Sequence, residues 1–135
     1  MKNTLKIFIL IFAWSPSLKA QTKISSEKRI CGVWSDLRNE WDIVNKEENS
    51  TTFEFNENYT FLTHFTSSGL SIFKTRLQKY DEKNRSYNFE AISDSGNKYN
   101  LIVDYEKKKI RFIYKDEHEK TRLVQHDIKT LVFAD

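Results

Sequence analysis

The stretch Tyr87-Asn88-Phe89-Glu90-Ala91-Ile92-Ser93-Asp94-Ser95-Gly96-Asn97-Lys98-Tyr99-Asn100-Leu101-Ile102-Val103-Asp104-Tyr105 decides the fold. Tyr87, Phe89 and Ala91 alternate with Asn88 and Glu90, and Tyr99, Leu101, Val103 and Tyr105 alternate with Asn100 and Asp104. A period of two with one apolar face is the pattern of a half-buried antiparallel strand. Asp94-Ser95-Gly96 between the runs is a three-residue loop ending in Gly, where a left-handed backbone is wanted. Closing that loop sets Ala91 opposite Tyr99, Phe89 opposite Leu101 and Tyr87 opposite Val103, so apolar meets apolar at every step. A slip of one residue would turn each set outward.

The same pattern recurs on both sides. Glu106-Lys107-Lys108-Lys109 is an even loop, which transfers the inward face from odd to even numbers, and Ile110, Phe112 and Tyr114 follow on the even parity. This pairing sets Tyr105 by Ile110, Val103 by Phe112 and, on the wet face, Ile102 by Ile113. Upstream, Phe53 and Phe55 share a face, and taking Asn56-Glu57-Asn58 as the turn sets Phe55 by Tyr59 and Phe53 by Phe61. Tyr59, Phe61, Thr63 and Phe65 then point inward, and His64 meets solvent. Weaker strands are expected at Cys31–Ser35, Leu70–Tyr80, Thr121–Asp127 and Thr130–Phe133, with Trp41–Val44 open between strand and helical turn. The fold class is therefore all-β: an antiparallel up-and-down meander of eight or nine strands, closed into a barrel that buries its greasy face. An open sheet or sandwich is the structural alternative.

The first twenty residues read differently. Lys2 and Lys6 precede an apolar run from Ile7 to Trp14, then Ser15-Pro16-Ser17-Leu18-Lys19-Ala20. A basic start, a short apolar stretch and a small residue before Gln21 read as a secretory signal, residues 1–20. The run is too short to span a bilayer, which takes roughly 20 residues. Residues 21–29 are a polar lead-in and 30–135 the barrel domain, a secreted or periplasmic protein with no transmembrane segment after cleavage. Without Lys2, Lys6 and Lys19, the 22 Lys and Arg fall into balance with the 19 Asp and Glu. A neutral domain argues against nucleic acid as a partner. The single cysteine, Cys31, forms no intramolecular disulfide, so apolar burial must carry the fold.

Gly32-Val33-Trp34, opening the first expected strand ahead of an aromatic meander, resembles the Gly-x-Trp start of lipocalin and calycin barrels. The chain is similar in particular to the short lipocalin-like domains exported by bacteria. That resemblance implies a Trp34 plugging the closed end of the barrel, with Arg122 from the last strand packed over it. It also implies a small apolar or amphipathic ligand held inside. The chain departs from the family in its short length, its lack of a disulfide and the absence of a clear long helix after the barrel.

Chemistry is sparse. There is no Gly-x-Ser-x-Gly, phosphate loop or His-Glu-x-x-His. Asp116-Glu117-His118-Glu119 with His126 is the nearest approach to a metal cluster, and it reads better as a charged turn. The expectation is thus no enzyme, no cofactor and no metal. The ligand-binding residues are expected among the inward aromatics Phe53, Phe55, Phe61, Phe65, Phe73, Tyr87, Phe89, Tyr99, Phe112 and Tyr114, with Leu77, Leu101, Val103, Thr63 and Thr75 on the same face. Apolar walls with a few polar groups suit a small hydrophobic molecule. The alternative is a filled barrel or sandwich that binds a protein, as an inhibitor or immunity-type factor, or forms a homodimer. On the wet face, Ile92, Ile102 and Ile113 call for a cover, either the Leu131-Val132-Phe133 tail, the lead-in or a second copy of the chain.

Overall fold

The structure, a computed structural model, describes residues 22–133. The expected signal segment 1–20 and the last two residues lie outside them. Eight strands run β1 (Thr22–Ser35), β2 (Glu40–Phe55), β3 (Phe61–Thr66), β4 (Gly69–Asp81), β5 (Ser86–Ser93), β6 (Lys98–Asp104), β7 (Lys109–Lys115) and β8 (Thr121–Phe133). Each pairs antiparallel with its sequence neighbour, and β1 pairs with β8 to close the barrel. The meander follows directly from the alternation of apolar and polar residues joined by tight turns. Closure satisfies the edges that an open sheet would leave exposed.

The β5–β6 hairpin has the register read from its sequence: Ala91 opposes Tyr99, Phe89 opposes Leu101 and Tyr87 opposes Val103. Gly96 takes the left-handed conformation at φ 89°. The β6–β7 hairpin keeps the expected parity but is offset by two residues, with Val103 opposite Ile110 and Leu101 opposite Phe112. The loop still has four residues but is moved one back, to 105–108 with Lys108 left-handed, so Ile102 faces Arg111 rather than Ile113.

The β2–β3 hairpin corrects the sequence reading. Phe55 opposes Leu62 and Phe53 opposes His64, so even-numbered residues of β3 point inward. Tyr59 does not begin a strand; it is the left-handed residue of the turn at φ 57°. Its ring folds back into the barrel against Phe55, at 5.1 Å, and its hydroxyl pairs with Thr22 at 2.9 Å. This longer turn flips the parity. Leu62 is fully buried, whereas Phe61 and Phe65 are exposed on the outer face and Thr63 goes with them. Leu77 still pairs with Phe89 but is exposed, at the point where a bulge between Leu77 and Lys79 interrupts β4. Phe73 and Thr75 are buried as expected.

β1 begins at Thr22, so residues 22–29 are strand and not a lead-in. The core comprises Ile24, Phe53, Phe55, Leu62, Phe89, Leu101, Val103 and Ile110, all almost completely buried. One end is packed shut by aromatic rings, with Tyr59 stacked on Tyr87 and Tyr105 set edge-on between Tyr87 and Phe133. The other end is less completely filled.

Candidate functional site

At that second end lies a cleft of about 300 Å³ lined by Arg29, His64, Phe73, Tyr99, Phe112, Tyr114, Val124 and His126. Grooves of similar size elsewhere differ in lining. The one of about 320 Å³ beside Ser25, Thr51 and Thr130 is mainly hydroxyl-bearing. The barrel is therefore filled through its middle and tyrosine-packed end, and hollowed only as a cup at the other.

Register places every wall of the cup. Tyr99 and Tyr114 stand at the ends of β6 and β7, with ring centroids 5.3 Å apart, and Phe112 lies next inward, 5.4 Å from Phe73. Val124 pairs with Phe112, and His126 pairs with the fully buried Ile110, which fixes both as inward-facing. Arg29 is the direct partner of His126 across β1–β8, so its side chain starts on the same face. Its Nη1 reaches Glu47, its direct partner across β1–β2, at 3.2 Å, while its Nε is buried with no hydrogen-bond partner among the described residues.

The two imidazoles share the floor. Their centroids lie 5.6 Å apart, and Phe53 stacks flat on His64 and meets His126 edge-on. Thr51 gives its one hydroxyl hydrogen to the carbonyl of Phe65 at 2.7 Å, so its 2.6 Å contact with His64 assigns the imidazole hydrogen to Nε2. His64 Nδ1 is then an acceptor. Burial first, and the Arg29 charge second, lower its pKa to about 4. Burial, then His64 and Arg29, lower that of His126 to about 3. Both rings are neutral at pH 7. His126 is 2% exposed, and its Nδ1 has no partner among the described residues.

Of the ten aromatics expected to bind ligand, Phe73, Tyr99, Phe112 and Tyr114 line the cup. Phe53 lies beneath it; Phe55 and Phe89 are deep core, and Tyr87 belongs to the packed end. Phe61 and Phe65 face outward and cannot reach it. Arg29, His64 and His126 escaped the sequence reading. Arg29 sat in the supposed lead-in, His64 on the wrong parity, and His126 in the metal grouping. The structure separates that grouping. His118 is exposed in the β7–β8 turn, where Asp116 accepts the amides of His118 and Lys120, while His126 is buried on the floor.

Gly32, Trp34 and Arg122 lie at the cup end rather than the packed end, because β1 starts ten residues before Gly32 and the tripeptide falls late in the strand. Arg122 pairs with Val33 and therefore faces away from the side that Trp34, the next residue, occupies. Its Nε bonds Asp116 at 2.6 Å, and this holds the Asp116 carboxyl down to about 2. Trp34 meets Trp41 edge-on at 5.2 Å. Gly32 sits at a close approach: a Cβ there would lie 3.2 Å from the carbonyl oxygen of Asp42.

The closed eight-stranded antiparallel barrel is consistent with a lipocalin-like fold. The chain matches no protein-family model, no curated protein and no solved structure.

Proposed function

We propose that this is an exported, non-enzymatic, lipocalin-like protein that binds a small apolar or amphipathic molecule in the cup at the open end of its barrel. The observation that carries the reading is the cup itself: aromatic walls converging on a floor with buried polar atoms left without partners. Apolar lining with a few placed polar groups is what small-molecule sites have in common, and about 300 Å³ is the lower end of their size range. Binding is favoured over catalysis because a general base works best with a pKa near the working pH, and both imidazoles fall far below it. The basic, apolar N-terminal run and the Ala20–Gln21 junction support export, to the periplasm or beyond. Native mass spectrometry on protein recovered from expressing cells tests the reading. A discrete adduct on the wild type that is lost in Val124→Trp, which fills the cup, is the expected result. Bare wild-type chain after exposure to a cell extract would overturn it.

One observation favours a second reading, an interaction module. On the outer face of β3–β4, Phe65 opposes Leu70 and Thr63 opposes Ile72, and with Phe61 these apolar side chains are 38–57% exposed. Contiguous exposed apolar residues are a common mark of association. Sedimentation of wild type against Phe65→Lys separates the two readings, since a cup-binding monomer is indifferent to that change.

A further inference from the structure

The cup's polar inventory is lopsided. Its lining contains one guanidinium and two imidazoles but no Asp or Glu. Arg29 presents a buried Nε–H that nothing accepts, although its Nη1 is engaged by Glu47 at the surface. Directly across the ladder, His126 is 98% buried on the cup floor and its Nδ1 is likewise unpartnered among the described residues. Leaving a buried donor unpaired is costly, and a charged donor more so. The depressed pKa values agree in sign: burial lowers both rings first, and the Arg29 charge adds to it. Such a site lacks an acceptor with negative charge, and a carboxylate supplies both in a form that matches the guanidinium fork.

We propose that the cup takes a small aromatic or apolar monocarboxylate, its body against Phe73, Tyr99 and Phe112 and its carboxylate on Arg29 Nε beside His126. This rests on the cup being a ligand site and specifies the ligand's head group. A cation would meet the Arg29 guanidinium and no carboxylate among the cup's lining residues. A neutral amide of the same shape fills the walls but gives the guanidinium a weaker, uncharged acceptor.

Calorimetric titration of the purified protein at pH 7 with 2-naphthoate and with 2-naphthamide tests this on the wild type, with no variant required. The acid is ionised there and the amide is neutral. Naphthoate is expected to bind at least about tenfold more tightly, as a charge-assisted hydrogen bond gives. Arg29→Gln is expected to erase the preference, bringing naphthoate affinity down to that of naphthamide. Should Arg29→Gln not fold, Arg29→Lys keeps the charge, loses the fork and should narrow the preference. Equal binding of acid and amide to the wild type would overturn the head-group assignment and leave the cup reading standing. A preference that survives in Arg29→Gln would overturn the role of Arg29. Failure of both compounds to bind would remove the cup reading together with this one.

Discussion

His64 lies flat against Phe53, ring centroids 4.3 Å apart and planes within 9° of parallel. The two are cross-strand partners on β2 and β3, so the stack is set by register. It makes Phe53 both the top of the core and the underside of the cup.

Phe53→Ala should therefore cost about 3–5 kcal/mol of folding stability, the range for a fully buried phenylalanine that leaves a cavity. It should also loosen both imidazoles, since His126 meets the same ring edge-on at 5.0 Å. Urea unfolding gives the first quantity, and a loss below about 1 kcal/mol would remove Phe53 from the core.

The same two imidazoles make stability depend on pH. Unfolded, each titrates near 6.5; folded, His64 titrates at about 4 and His126 at about 3. The unfolded chain thus binds protons that the folded chain refuses, and stability is complete above pH 6.5 and falls as pH drops toward those folded values. The loss should be on the order of 2–3 kcal/mol per fully buried ring, and less at the partly solvated His64. Asp116 acts later: with its carboxyl held down to about 2 by Arg122, its contribution is lost only as pH falls below the ordinary carboxylate range. A decline between pH 6.5 and 4 that is flattened in His64→Phe/His126→Phe is the expected outcome. An equally steep decline in the double variant would assign it elsewhere.

Parity in β3 offers a sharper contrast. Leu62→Ala should destabilise by about 2–5 kcal/mol, whereas Phe61→Ser and Phe65→Ser, at exposed positions, should each stay within about 1 kcal/mol of wild type. Chemical denaturation of the three variants decides it, and the reverse order would restore the odd parity that the sequence suggests.

That odd parity was a reasonable reading of the residues. Alternation is enough for the central strands and the β5–β6 register, because Phe89, Leu101 and their neighbours combine a strict period of two with a glycine turn. It failed where a residue's identity masked its backbone state. Tyr59 has the composition of a strand yet sits left-handed in a turn, where a bulky residue is uncommon. Its ring and its bond to Thr22 offset the strain, and both contacts depend on tertiary structure. The site depends on that one turn: odd parity in β3 would put His64 in solvent, away from His126 and Arg29, which come from the far ends of the chain. The cup's aromatic walls were legible from local pattern; its polar floor depends on β1–β8 closure, which no local pattern encodes.

The packed end supplies a contrast between two tyrosines. Tyr59 shares its hydroxyl with Thr22 at 2.9 Å, while the Tyr105 hydroxyl, buried near it, has no hydrogen bond of ordinary geometry among the described residues. Burial, with Tyr59 and Tyr87 close by, pushes the Tyr105 phenol well above its usual range, so it stays protonated and has a hydrogen to place. A buried hydroxyl without a partner gains nothing from folding and loses its water. Tyr105→Phe removes that group and keeps the ring against Tyr87 and Phe133, so it should leave stability unchanged or raise it by about 1 kcal/mol. Tyr59→Phe breaks a made bond and strands Thr22, which is buried, so it should cost about 1 kcal/mol or more. Thermal unfolding of the pair reads the difference directly. A Tyr105→Phe variant that melts as early as Tyr59→Phe would mean that the hydroxyls of Tyr105 and Tyr59 are joined in one network.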